Sequence, residues 1–377
     1  MLYPKEQLVP VYLPEEELIR YYGGHTLAFF GLAPENLHFL APDGEGLVNY
    51  RLVNNVAVVL GEPVCSPDAI EYVTRSFLDF CAFRNWRVAF YQAYPEHLAA
   101  YHALKLRAFK IGEEAIINPQ TFTLSGSAMA NVRTSSRRAE REGVSIQWYE
   151  GVPPTEVMYQ LEQLSKAWLE SKAGEHASEM GFSMGRLDEL VDTAKRADTV
   201  AHISTRQNVS YTTVPRLVTA VVTTSSGKAC AFVTFTPIYG SLTIDADARS
   251  TLQGWGWTLD LMRRASDAPP GVMELLLVRA IERFRSCDAR VVSLGMVAMA
   301  DTRQEITGGQ RLLMKIATDR LGLFETRDTL FNFKQKFQPT WESRYVITDA
   351  TLALPKVALA ILRVRNYSGK NLMKLTN

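Results

Sequence analysis

Asp260, Arg263 and Arg264 close an aromatic, strand-like run that begins at Trp255. A carboxylate can orient or deprotonate a hydroxyl, and a guanidinium fork can grip a phosphate or a developing oxyanion. After the break at Pro269-Pro270-Gly271, residues 272–285 place Met273, Leu276, Leu277, Ala280, Ile281 and Phe284 on one apolar stripe. Glu274, Arg279, Glu282 and Arg283 lie between them, which is the pattern of a half-buried helix. Residues 290–296 then read as a buried strand. Strand, helix and strand make one β-α-β unit with a right-handed crossover. Ligands of such sheets sit at strand ends and helix N-termini, where free N–H groups and the dipole favour anions. The three charged residues fall there. On a regular strand Asp260 and Arg263 point to opposite faces, so they share a site only if a bulge or the strand's end intervenes.

A second charged cluster lies upstream. Arg133, Arg137, Arg138 and Arg141 stand at i, i+4, i+5 and i+8, on one side of a helix within residues 125–143 that Gly143 terminates. The segment holds four arginines and no lysine, and its two acids, Glu140 and Glu142, come at the far end. Bidentate arginine suits phosphate, so this is a candidate phosphate-binding face; the alternative is an ordinary solvated face.

The 377 residues, 47% of them hydrophobic, allow two domains or one large one. Helical and strand-like stretches alternate, so the class is α/β or α+β. With 41 Lys+Arg against 40 Asp+Glu, overall charge argues for neither nucleic acid nor membrane, and any such partner must be held by local patches. Four scattered cysteines, with no C-x-x-C pair, fit reduced thiols in a cytosolic chain. No metal and no cofactor is expected, because the histidines form no ligand cluster. The N-terminus lacks an apolar signal core, and no run of about 18 apolar residues is present.

Residues 15–22 read as a short helix and 25–30 as a strand. Residues 46–60 read as a hairpin turning at Asn54-Asn55. A helix follows over 67–85, a strand over 87–93, a helix over 95–104 and a strand over 109–118. Beyond the arginine helix come a strand at 146–149, a helix over 155–169, and strands at 200–204, 217–224, 229–236 and 241–245. Residues 309–321 form a basic helix. Lys334 and Lys336 share a face if residues 331–347 are a strand, where they either touch a phosphate or guard an exposed edge. Phe331, Phe333 and Phe337 are read as core rather than base-stacking rings, and Trp255 and Trp257 as lining core or a lipid slot. The tail, 352–377, has five basic residues and no acid among apolar ones. It is either an interfacial helix for anionic lipid or a helix packed on the body.

Several segments together carry a family likeness. TLDLMRR, PPGVMELLLVRAIE, VVSLGMVAM and FNFKQKFQPTWESRY resemble the C-terminal catalytic domain of phosphatidylglycerol lysyltransferases, the multiple peptide resistance factors. VVLGEPV, VAFYQAY, KIGEEAIINPQTFTLSG, RRAEREG and GFSMG fit in the same order, over roughly residues 25–347. The resemblance implies two tandem GNAT-like acyltransferase modules with mixed sheets flanked by helices. It divides the chain into an N-terminal module (1–125), a basic linking helix (126–144), a catalytic module (145–347) and a basic amphipathic tail (348–377). The implied activity is transfer of an amino acid from aminoacyl-tRNA to a hydroxyl of a membrane lipid such as phosphatidylglycerol, with no cofactor and peripheral contact with the membrane. The motif carries over onto Asp260, Arg263 and Ser183 as catalytic positions and onto Lys334 and Lys336 as substrate-binding ones. Arg264, Arg133, Arg137, Arg138 and Arg141 are further candidates for phosphate contacts. The family's proline after the L-G-M run is absent, since Gly295-Met296 is followed by Val297-Ala298-Met299, and the family's flippase domain is not in this sequence.

Two other functions compete. An acetyl-CoA-dependent N-acetyltransferase would want a Q/R-x-x-G-x-G/A turn between strand and helix, and residues 264–271, RASDAPPG, lack it. A non-catalytic membrane-binding module would rest on the basic tail.

Overall fold

The computed structural model describes residues 14–173, 181–206, 215–239, 255–298 and 324–366. In the first half, α1 (Pro14–Tyr22) and a 3-10 turn (Ala28–Leu32) precede β1 (Leu37–Leu40), β2 (Gly46–Val53), β3 (Val56–Leu60) and β4 (Val64–Cys65). Then come α2 (Ile70–Phe83), β5 (Arg87–Ala93), α3 (Leu98–Ala103) and β6 (Arg107–Ile117). In the second half, α4 (Ala130–Arg141), β7 (Ser145–Glu150), α5 (Thr155–Ala173) and α6 (Leu187–Arg206) lead to β8 (Val218–Thr223) and β9 (Ala229–Ile238). The chain continues through β10 (Gly256–Arg264), α7 (Val272–Ser286) and β11 (Val291–Ala298). It closes with α8 (Phe324–Gln335), β12 (Thr340–Thr348) and α9 (Leu354–Asn366).

Among the described residues the strands join one sheet in the order β1-β2-β3-β5-β12-β6-β11-β10-β9-β8-β7, with β4 on β2. It is mixed. The two parallel pairs are β3 with β5, bridged by α2, and β10 with β11, bridged by α7. Each half thus holds one β-α-β unit, as the sequence pattern implies. The sheet does not break at residue 125: β6 pairs with β12 on one side and β11 on the other. β12, the last strand in sequence, lies between β5 and β6 of the first half and ties the ends of the chain together.

Local chemistry explains the turns. The β2–β3 hairpin turns through Asn54 (φ 51°) and Asn55 (φ 57°), a left-handed pair that asparagine tolerates and that matches the twist of the strands. One face of the sheet is covered by α1, the 3-10 turn, α5, α6 and α9. The other is covered by α2 and α3 over the first half and by α4 and α7 over the second. α7 buries Leu276, Leu277, Ala280 and Phe284 completely, and the Phe284 ring stacks on Trp257 at 4.3 Å. Trp255 and Trp257 therefore belong to the core, as does Phe337.

Three sequence expectations are corrected, and the choice left open for the tail is made. Residues 25–30 are a turn and a 3-10 helix rather than a strand. Residues 200–204 lie inside α6, a helix that buries Leu187, Leu190, Ala194 and Ala197. Residues 331–335 end a helix instead of opening a strand, and Phe333 and Phe337 pack together at the helical spacing i, i+4. In the tail, Leu354, Val357, Ala358, Ile361 and Val364 of α9 are buried against the body, so this apolar face is not offered to a bilayer. The expected strand at 241–245 and helix at 309–321 lie outside the described residues. Among the described residues no helix is long and apolar enough to cross a membrane.

Candidate active site

β10 and β11 run side by side only from Gly256 opposite Val291 to Thr258 opposite Ser293. Both then change register against their outer neighbours, β10 between Leu259 and Met262 and β11 between Ser293 and Met296. Gly295, at φ 81°, makes the second irregularity, a backbone state that glycine enters without steric cost. The two central strands part where their regular pairing ends.

The β10 bulge supplies the condition that the sequence left open. It adds one residue to β10 relative to β9 and so reverses the alternation of side chains. Asp260 and Arg263 consequently meet the same face, the one covered by α5 and α6. Asp260 is half-buried. Its Oδ1 accepts a hydrogen bond from the Gly185 N–H at 2.7 Å, and its Oδ2 accepts one from Thr234 Oγ1 at 3.2 Å. Thr234 Oγ1 in turn accepts the Leu261 N–H at 2.9 Å, which fixes the carboxylate to the bulge itself. Arg263 is buried, and its guanidinium lies 4.2 Å from the centre of the Trp168 ring on α5. Arg264 points outward and is exposed.

The glycine-bracketed turn before α6 closes on Asp260. A Cβ at Gly185 would stand 2.3 Å from Asp260 Oδ2, so only glycine lets backbone and carboxylate approach this closely. At the other end of the turn the Gly181 N–H donates to the Arg365 carbonyl of α9 at 2.7 Å. Ser183 sits between them and is buried, so the turn sits at Asp260 through Gly185 and not through the Ser183 hydroxyl. Three further threonine hydroxyls, on Thr219, Thr236 and Thr258, are buried on the strands around Thr234 and Asp260 without hydrogen-bond partners.

Lys334 and Lys336 part company. Lys334, on the last turn of α8, is buried and drives its ammonium to the parting of the strands, donating to the carbonyls of Gly295 at 2.9 Å and Met296 at 3.3 Å. A Cβ on Gly295 would be 3.5 Å from both Lys334 Nζ and the carbonyl of Leu259, the residue before Asp260. Burial pulls the Lys334 amine down to about 7, opposed by the negative charge of Glu114. Lys336 instead pairs with Glu274 in the first turn of α7, at 2.9 Å. The expected shared strand face does not exist, because a helix end rotates successive side chains away from each other.

The structure does not bring the arginine helix to Asp260. α4 packs on α7, on the opposite face of the sheet. Arg133 is spent on the carbonyls of Leu124 and Gly126. Arg137, Arg138 and Arg141 are exposed, and Arg137 lines an open cleft of about 790 Å³ between α4, α7 and residues 122–127. α4 also presses on the start of α7: a Cβ at Gly271 would be 2.1 Å from the Ser135 carbonyl oxygen. The helix N-terminus that an acetyl-CoA pyrophosphate would need is thus covered.

Sequence reasoning missed the polar belt behind this site. Glu114, buried in the middle of β6, is held by Arg344 of β12 at 2.6 Å and by Ser293 Oγ of β11 at 2.5 Å. The Arg344 guanidinium also covers the Tyr94 ring at 3.7 Å. The one available signal was Glu114 beside Glu113, followed by the apolar residues 115–117 that end β6.

A family model described as "Phosphatidylglycerol lysyltransferase, C-terminal" matches residues 16–348. The chain belongs to this family. It is 26% identical over 352 residues to a phosphatidylglycerol lysyltransferase of Bacillus subtilis, covering 93% of this chain and 36% of that protein. It is 27% identical over 354 residues to a lysylphosphatidylglycerol biosynthesis bifunctional protein, LysX, of Mycolicibacterium gilvum, covering 91% of this chain and 28% of that protein. The chain therefore spans roughly a third of the length of the curated relatives it matches. The solved structure of L-PGS from Bacillus licheniformis superimposes with a TM-score of 0.73 at 25% identity, covering 94% of this chain and 97% of that one. The fold class is accordingly α/β, a mixed sheet flanked by helices, shared with this family.

Proposed function

We propose that this member of the lysyltransferase family moves an amino acid from aminoacyl-tRNA to a hydroxyl of a phosphatidylglycerol-like lipid. The observation that carries the reading is the β10 bulge. It turns a hydrogen-bonded carboxylate and a buried guanidinium to one face, beside strands that part around a lysine ammonium. The relatives are named for a lysyl transfer, and a carboxylate beside buried cations suits such a transfer.

In the reaction the lipid hydroxyl attacks the ester carbonyl of the charged tRNA. A new ester C–O bond forms, the bond to the tRNA ribose breaks, and one proton passes from the lipid hydroxyl to the ribose oxygen. The ester is already activated, so positioning and oxyanion stabilisation dominate the catalysis. Asp260 orients the attacking hydroxyl and takes up its proton. Arg263 and the remaining N–H of Lys334 face the developing negative charge. Arg137, Arg138 and Arg141 hold tRNA phosphates on the far side of the sheet, with Arg264 as a further cation at the strand end. Ser183 shapes the turn that carries Gly185. The protein meets the lipid at the bilayer surface as a peripheral partner.

The test is transfer from a panel of labelled aminoacyl-tRNAs into a total lipid extract, with identification of the product. A labelled aminoacyl-lipid formed by the wild type and lost in Asp260→Asn is expected. Thermal stabilisation by micromolar acetyl-CoA, with no lipid product, would overturn the reading.

A further inference from the structure

The parting of β10 and β11 is held open from behind. Beyond Ser293 the β11 chain needs a support for its irregular turn, and the Ser293 hydroxyl gives it. Ser293 Oγ accepts the Gly295 N–H at 2.9 Å while donating to Glu114 Oε1 at 2.5 Å. That bond sets the left-handed Gly295, and the turn aims two successive carbonyls, those of Gly295 and Met296, at the Lys334 ammonium. The other oxygen of Glu114 is anchored by Arg344 Nε at 2.7 Å and by the Thr26 hydroxyl at 3.4 Å. Glu114, Ser293, Arg344 and Lys334 are each at most 4% exposed, so no water competes for these bonds.

We propose that Glu114 is a positioning residue for the transfer site, acting through Ser293 and the Gly295 turn to fix where Lys334 holds its ammonium. A chain of buried, charge-assisted hydrogen bonds is worth more here than in water, and each link has one geometry. The charged groups on the elements around the ammonium are Glu114 on β6, Arg344 and Glu342 on β12, and Asp260 and Arg263 on β10. Lys336, just past the end of α8, is neutralised by Glu274 of α7. Arg344 pairs with both Glu114 and Glu342. Glu114 is the charge that favours protonated Lys334, against the burial that disfavours it.

This inference rests on the transfer reading only for its activity arm. The first measurement is the titration of the Lys334 side chain by NMR in the intact protein. In Glu114→Gln it moves to lower pH, and an unmoved titration overturns the proposal whether or not transfer is observed. The second is transfer kinetics in Ser293→Ala, which cuts the link to Gly295 but leaves the Glu114–Arg344 pair. A fall in kcat on the order of 10-fold is expected, with KM for the tRNA little changed. Ser293→Thr, which keeps the hydroxyl, restores most of it. Where Glu114→Gln lowers the melting temperature too far, Ser293→Ala and Ser293→Thr carry the test. Equal kcat in the alanine and threonine variants would reduce Glu114 to a structural ion-pair partner and sink the idea.

Discussion

Substituting Gly185 by alanine tests whether the fit of the turn against Asp260 matters for the reaction. The added Cβ would stand 2.3 Å from Asp260 Oδ2, about 1 Å inside ordinary contact. The neighbour is a short carboxylate pinned by Thr234 and, through it, by the Leu261 N–H, so it has little freedom to swing away. Either the turn withdraws and the 2.7 Å bond from the Gly185 N–H is lost, or the carboxylate retreats by about 1 Å. A displacement of that size costs a positioned reaction on the order of 100-fold, or about 2.7 kcal/mol of barrier. Loss of a hydrogen bond to a charged group costs about 1.5–3 kcal/mol of stability as well. The assay is kcat/KM for transfer of a labelled amino acid to lipid, read beside the melting temperature. Asp260→Asn is the comparison: it retains an oxygen for the Gly185 N–H but removes the charge and replaces the acceptor facing Thr234 by an amide donor. If Gly185→Ala transfers as fast as the wild type, Asp260 is not held in place by this turn, and its assigned role fails.

Two other expectations can be checked directly. His25 is fully buried, its Nδ1 accepts the Leu27 N–H at 3.3 Å and its Nε2 has no partner, and desolvation lowers its pKa from 6.5 to about 4. The unfolded chain takes up this proton first, so stability falls as the pH drops from 6.5 towards 4, by about 3 kcal/mol in all. Denaturant melts of the wild type and His25→Gln should diverge over that window, and parallel curves would refute the assignment. Arg137→Ala combined with Arg138→Ala should weaken tRNA binding and reduce the slope of log K against log salt by roughly one unit per lost phosphate contact. An unchanged slope would return α4 to a solvated face.

The elements legible in the sequence are those set by local rules. The β10-α7-β11 unit, the hairpin at Asn54-Asn55 and the arginine helix all follow from apolar period, breakers and turn chemistry acting within some twenty residues. Residues 331–337 were misread for the same reason: FNFKQKF alternates over so short a window that periods of 2 and 3.6 fit equally well, and packing decided for the helix. The short strand expected at 200–204 falls inside α6, which runs from Leu187 to Arg206.

Sequence by itself determined that Asp260 and Arg263 close a strand, and that they share a site only through a bulge or the strand's end. Only the tertiary structure decided that the bulge exists, because it is set by the register of β9 against β10. Ser293 and Arg344 lie 179 and 230 residues from Glu114 along the chain, and nothing in local propensity couples them to it. They meet because β12 and β11 pair with β6 on its two sides, and a buried carboxylate there must find its partners across the sheet.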